Sequence, residues 1–353
     1  MTDAVATSAR ARVVVADDSA LMRRLLADLL ERSDFEVIAC ASDGEQALNL
    51  CRRLHPDVMT LDLSMPAVDG LEALRVLREE HLDVPVVVVS GFSAEQGAHA
   101  VDALAEGAFE LVAKPAGPSE AAAFEQALCS RLRAAVESRR RRAADRSRRR
   151  VWQCCPPKSP VTRRTGGEKV VVIAISTGGP RALAALLPQL PSRLGLGTLI
   201  VQHMPAGFTR SLADRLDQAS ALTVREAVGD EELAPNIALV APGGKHLRLT
   251  SAGRTELSDA APVGGLRPRA DLLIEDAARR HGGRLVLVVM TGMGNDGLAG
   301  AEAVRREGGR VLAEAESSCT VYGMPRCVVE AGLADRVASL DELAEAIIEE
   351  ANR

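Results

Sequence analysis

The chain has 353 residues, 47% of them hydrophobic and only 2% aromatic, with a formal net charge of −5. That length exceeds one ordinary core and points to two domains filled mainly by Ala, Leu and Val, which suits sheets with helices layered on both faces. The charge gives no electrostatic reason to expect nucleic acid. No 18-residue apolar run offers a membrane span, and seven cysteines without metal spacing fit free thiols in a reducing cytoplasm.

Residues 10–132 are expected to form the first domain. Strands are predicted at Val13–Ala16, Glu36–Ala39, Val58–Leu61, Val86–Val89 and Leu111–Ala113. Between the first two, Leu21, Met22, Leu25, Leu26, Leu29 and Leu30 recur at helical spacing. Five such βα units make one doubly wound α/β domain. Asp17 and Asp18 follow the first strand, Asp62 the third, Ser90 the fourth and Lys114 the fifth. In a parallel sheet these carboxyl ends converge. Three carboxylates brought together repel one another unless a cation sits among them, and oxygen-only ligands with room for water suit Mg²⁺. A carboxylate beside Mg²⁺ and a lysine ammonium can accept a phosphoryl group, because both cations offset the charge being transferred. Taken singly, each aspartate reads first as a helix cap.

Together, the pattern Asp-Asp … Asp … Ser … Lys-Pro, with Leu-Asp-Leu-Ser-Met-Pro-Ala-Val-Asp-Gly around Asp62, resembles the response-regulator receiver domain. The resemblance implies a flavodoxin-like (βα)5 fold. It also implies that Asp62 takes a phosphoryl group from a histidine kinase, with Ser90 and Lys114 as the switch residues and Mg²⁺ held by Asp17, Asp18 and Asp62. Leu111 stands three residues before the lysine, where that family often has an aromatic residue. This leaves the acceptor chemistry untouched and bears on how the signal leaves the site.

Residues 133–168 are expected to be a basic flexible linker. Arg139–Arg142, Arg146 and Arg148–Arg150 precede Cys154-Cys155-Pro156-Pro157, so a helix extension runs into a Pro/Ser/Gly-rich stretch. A basic cluster can bind nucleic acid or anionic lipid. Without aromatic interleaving or a DNA-binding helix pair, a solvated interdomain arm is the simpler reading.

Residues 169–350 form a second, mostly parallel α/β series. Strands are predicted at Val170–Ile175, Thr198–Val201, Leu285–Met290 and Arg310–Ala313, and helices at Pro180–Leu187, Arg269–Arg280 and Leu298–Arg306. A hairpin joins Leu247–Thr250 to Thr255–Ser258. Three strand-ending loops carry Ser176, His203 and Asp296. They should meet at one sheet edge as a hydroxyl nucleophile, an imidazole base and a carboxylate that orients it.

Each residue has a rival reading. The Ser176 loop opens a helix and could bind an anion, and it lacks the first glycine of G-x-S-x-G. His203 alone could be structural. Gly292-Met-Gly-Asn-Asp-Gly297 is literally G-x-G-x-x-G after a strand, with Glu314 about 20 residues on, as dinucleotide binding would want. That fingerprint belongs on the first βα turn of its domain, however, and it leaves Ser176 and His203 without roles.

Six motifs occur in order: Ile-Ser-Thr-Gly-Gly-Pro, Val-Gln-His-Met-Pro, Val-Ala-Pro-Gly-Gly-Lys-His, Leu-Arg-Pro, Met-Thr-Gly-Met-Gly-Asn-Asp-Gly and Val-Tyr-Gly-Met-Pro-Arg. They resemble the catalytic domain of the chemotaxis protein-glutamate methylesterases, the CheB family, in which a receiver precedes the catalytic domain. The resemblance implies Ser176 as nucleophile, His203 as general base, Asp296 as the residue orienting the histidine, and the amides of Thr177 and Met293 as oxyanion hole. It implies γ-glutamyl methyl esters of methyl-accepting chemoreceptors as substrate and glutamine deamidation as a second activity. No cofactor is implied for the esterase. A CheA-type histidine kinase is the implied phosphodonor, no DNA partner is expected, and membranes are met only through receptors. The unphosphorylated receiver of that family covers the active-site edge. Arg269 stands where a small residue often follows Arg-Pro, and Glu314 where a glutamine is common; both are expected to alter receptor fit without touching the triad. Arg267 is a candidate substrate-side cation, or equally a structural ion-pair partner. A response regulator binding DNA and a dinucleotide-dependent enzyme remain as competing classes.

Overall fold

The computed structural model describes residues 10–91, 94–115, 117–148 and 169–353. They fall into two compact units, divided after residue 153. The linker motif Cys154-Cys155-Pro156-Pro157 lies outside the described residues.

The first unit alternates β1 (Ala11–Ala16), α1 (Ala20–Arg32), β2 (Phe35–Ala41), α2 (Gly44–Leu54), β3 (Val58–Leu61), α3 (Gly70–Glu79), β4 (Val86–Ser90), α4 (Ala94–Glu106), β5 (Glu110–Ala113) and α5 (Ala121–Arg148). Its five strands are parallel in the order β2-β1-β3-β4-β5. Every residue of β3 and β4 is buried, as expected for strands covered on both faces. The helix starts are capped by other residues than the strand-end aspartates. Ser19 caps α1, Asp43 caps α2 through Gln46 N–H at 2.8 Å, and Asp69 caps α3 through Glu72 N–H at 2.8 Å. The capping alternative therefore fails for Asp17, Asp18 and Asp62.

The second unit contains β6 (Val170–Ile175), α6 (Gly179–Leu186), β7 (Gly197–Gln202), α7 (Phe208–Ala219), β8 (Thr223–Glu226), β9 (Ile237–Val240), β10 (His246–Leu249) and β11 (Thr255–Ser258). It continues with α8 (Ala270–His281), β12 (Leu285–Val289), α9 (Leu298–Arg306), β13 (Arg310–Glu314), α10 (Met324–Glu330), β14 (Arg336–Ala338) and α11 (Leu340–Ala351). Seven parallel strands run β14-β13-β12-β6-β7-β9-β8, and β10 and β11 form the expected antiparallel hairpin. The chain order reverses at β6, between β12 and β7, and the carboxyl ends of strands flanking such a switch point open the ligand crevice of an open α/β sheet. All of β6, β7 and β12 is buried. A core of aliphatic residues, including Leu199, Leu273, Ile274, Leu287 and Val304, locks α8 and α9 onto the sheet.

Candidate active site

Ser176 lies directly beyond β6, at the tip of a turn that becomes α6. Its N–H donates to Thr291 O (3.0 Å), its carbonyl accepts from Gly179 N–H (2.8 Å), and His203 N–H donates to Ile175 O (3.1 Å). The loops after β6, β7 and β12 are thus tied backbone to backbone. Gln202, wholly buried at the end of β7, adds a clamp that the sequence reading missed. Its Nε2 donates both to Ser176 O (2.9 Å) and to His203 O (3.2 Å). Two glycines allow the approach. A Cβ at Gly179 would lie 1.8 Å from Gln202 Oε1, and one at Gly292 would lie 2.7 Å from Ser176 Cβ. Gly292 therefore serves close packing against Ser176.

His203 Nε2 lies 2.7 Å from Asp296 Oδ2. A carboxylate can only accept, so Nε2 carries the proton and Nδ1 keeps its lone pair. Nδ1 is buried and has no hydrogen-bond partner, so the Ser176–His203 hydrogen bond is not made in this structure. Catalytic bonds of this kind are often loose before substrate enters. Asp296 is held from four sides: Oδ2 also accepts from Ala270 N–H (2.7 Å), and Oδ1 from Asp271 N–H (2.9 Å) and Gly297 N–H (3.0 Å). Burial alone would raise its pKa, but the hydrogen bonds from His203 and these amides outweigh burial and hold the carboxyl well below the usual range.

A second buried carboxylate, Asp271, stands beside it and was not read from the sequence. Asp271 Oδ1 accepts from Gly297 N–H (2.8 Å) and Gly300 N–H (2.9 Å), tying α8 to the Asp296 loop. Burial, then the charge of Asp296, push its pKa up.

Arg269 corrects an expectation. It was expected to leave the triad alone, yet its Nε is 3.4 Å from Asp296 Oδ1, and its Nη2 donates to Asp271 Oδ2 at 2.6 Å. It is the extended residue before α8 rather than the first helical one. Glu314 cannot touch a receptor, because it is fully buried. Its Oε2 accepts from Thr291 N–H and its Oε1 from the Ser318 hydroxyl, both at 2.9 Å. That arrangement also removes the dinucleotide reading, since no carboxylate is left there for a ribose. Among the described residues, Arg267 donates to the backbone carbonyls of Asp259 (3.4 Å) and Ala260 (3.2 Å) and pairs with no carboxylate. Thr177 is buried, with its carbonyl accepting from the Thr291 hydroxyl at 2.9 Å, while Met293 is 37% exposed at the rim.

In the first unit, ligand oxygens of Asp17, Asp18 and Asp62 lie within 4.8 Å of one another, the metal-capable group among the described residues. Lys114 Nζ is 2.8 Å from Asp17 Oδ2 and 2.6 Å from Asp62 Oδ2. Burial pushes the Asp62 carboxyl up despite Lys114. For Lys114 itself burial opposes the charge, but the bonds to Asp17 and Asp62 outweigh it and raise its pKa. The Ser90 hydroxyl is buried without a hydrogen-bond partner, and Lys114 N–H donates to Ser90 O at 2.7 Å. Leu111 is buried in β5. No helix among the described residues is long and apolar enough to cross a membrane, and Cys40, Cys51, Cys129, Cys319 and Cys327 form no disulfide among the described residues.

Taken together, the two units define a response regulator whose output is a hydrolase-type α/β unit. Comparison with known proteins makes this specific. A family model described as CheB methylesterase matches residues 171–347, and one described as response regulator receiver domain matches residues 13–124. A protein of Syntrophomonas wolfei named protein-glutamate methylesterase/protein-glutamine glutaminase 1 is 38% identical, covering 96% of this chain and 99% of its own length. The protein of Symbiobacterium thermophilum named protein-glutamate methylesterase/protein-glutamine glutaminase is 42% identical over 95% of this chain and 96% of its own. The crystal structure of the Thermotoga maritima CheB methylesterase catalytic domain is 43% identical, covers 51% of this chain and 97% of that one, and superposes with a TM-score of 0.50. The chain belongs to the CheB methylesterase family.

Proposed function

We propose that this chain is a phosphorylation-activated esterase that removes methyl groups from glutamyl side chains of chemoreceptors and deamidates receptor glutamines. The observation that carries this reading is the His203–Asp296 bond, which leaves imidazole Nδ1 without a partner on a loop that Gln202 clamps to the Ser176 loop. Ser176 Oγ attacks the ester carbonyl while His203 Nδ1 takes its proton. Asp296 stabilises the imidazolium, and the amides of Thr177 and Met293 receive the oxyanion. The carbon–methoxy bond then breaks, and methanol leaves with the proton from His203. Water, deprotonated by the same imidazole, attacks the acyl-enzyme and restores Ser176. An amide substrate follows the same path, with His203 protonating the departing ammonia.

In the receiver, an Asp62 oxygen bonds to phosphorus as the P–N bond of a CheA-type kinase's phosphohistidine breaks. Lys114 neutralises the product, and the Ser90 hydroxyl donates to it. The close set of oxygens from Asp17, Asp18 and Asp62 fits a hard divalent cation. Mg²⁺ bound there would offset the charge of the transferring group. We place domain limits at 10–132 and 169–350, joined by residues 133–168. The test is methanol release from methylated receptor membranes, with and without a small-molecule phosphodonor and Mg²⁺. Turnover should rise with the donor in the wild type and stay flat in Asp62→Asn. An equal response in both would contradict the regulatory reading.

A further inference from the structure

Two buried carboxylates beside one histidine pose a charge problem that the triad alone does not solve. Asp271 and Asp296 both accept from Gly297 N–H, at 2.8 and 3.0 Å, so their charges stand close together out of water. Like charges so placed favour protonation of one partner. Among the described residues, Arg269 is the only Lys or Arg paired with either carboxylate, at 2.6 Å from Asp271 Oδ2 and 3.4 Å from Asp296 Oδ1. Its placement is built in. Arg269 N–H donates to Nδ1 of the fully buried His246 (3.2 Å), while His246 Nε2 lies 3.2 Å from Ala261 O. A Cβ on Gly264, which has φ +59°, would lie 2.8 Å from Arg269 Nη1, so the turn at Gly264 closes directly over the guanidinium.

We propose that Arg269 is a positioning residue that keeps the Asp271–Asp296 pair doubly ionised, so that Asp296 remains a full acceptor for His203 Nε2–H. The proposal rests on the esterase reading above. The charged and titratable groups facing the pair are His203 from the β7 loop, Arg269 itself, and His246 of β10 behind the Arg269 backbone. The amides of Ala270, Asp271, Gly297 and Gly300 supply the remaining hydrogen bonds. Without the guanidinium, Asp271 takes up a proton at higher pH and can donate it to Asp296, which weakens the hold on the imidazole.

The test is the pH dependence of kcat/KM for methanol release by full-length wild type, Arg269→Met and Arg269→Lys. In Arg269→Met the acidic limb should move to higher pH by roughly one unit, with a smaller loss on the alkaline plateau, and Arg269→Lys should restore most of the shift. A limb that stays in place, or an equal loss at every pH, overturns the proposal. If Arg269→Met does not fold, Arg269→Gln, which keeps donors without charge, carries the same comparison. A ¹³C titration of the Asp271 carboxyl reads the effect without turnover: a higher midpoint in the variant supports the role, and an unchanged one overturns it. Inactivity of the wild type would instead count against the esterase reading.

Discussion

Gln202 shows how one side chain can align the two loops that carry the proposed nucleophile and base. Its amide joins the carbonyls of Ser176 and His203, while its Oε1 is buried without a partner. Replacing it with leucine removes the clamp but also removes an unsatisfied oxygen, so the two stability effects oppose each other. Gln202→Leu should therefore lose on the order of 10²-fold in kcat, the scale of a small misplacement of reacting groups, while unfolding within about 2 kcal/mol of wild type. A large stability loss with intact kcat would contradict this. Glu314 makes the opposite case. Burial pushes its carboxyl up, only partly offset by the Thr291 amide and the Ser318 hydroxyl. A carboxyl whose pKa is raised in the folded state stabilises the fold in acid, below its unfolded pKa, and that contribution is lost as pH rises through the folded value. Glu314→Gln keeps an acceptor for Thr291 N–H and gains a donor for Ser318. It should raise the Tm by roughly 2–4 °C at neutral pH, and thermal melts should show the difference vanish in acid.

At the scale of elements, the loop after β12 depends on an absent side chain. A Cβ at Gly292 would meet Met324 Sδ at 2.5 Å as well as Ser176. The loop has little room to retreat, since Gly292 O accepts from both Gly323 N–H (3.0 Å) and Met324 N–H (2.9 Å). Gly292→Ala should cost about 10²-fold or more in kcat while circular dichroism stays native; unchanged turnover would show that the loop moves freely. The elements also show what was legible beforehand. β3 and β6 were read to the residue, because an unbroken apolar run is what a strand covered on both faces requires. β8 and β14 were missed, being short edge strands in which charged residues interrupt the apolar pattern. α11 was missed although its Ser339–Glu342 capping box is written in the sequence. The strand-end positions of Ser176, His203 and Asp296 could be read because sheet topology alone gathers them. Asp271, Arg269 and Gln202 could not, because their parts depend on where the start of α8 and the end of β7 pack in space.

Across the whole molecule, the proposed acceptor site and the proposed triad each draw on the carboxyl ends of a parallel sheet, one in each unit. The basic segment continues α5 as far as Arg148, the last described residue of that helix. If it bound nucleic acid, affinity would fall steeply with salt; we expect no such binding in titrations with duplex DNA at physiological salt. The central claim is that Ser176, served by His203 and Asp296, is the nucleophile. The direct measurement is methanol released from a methylated chemoreceptor by the wild type and by Ser176→Ala, matched for folded protein. Release should fall by about 10⁴ to 10⁶ in kcat in the variant; equal release by both proteins would contradict the triad.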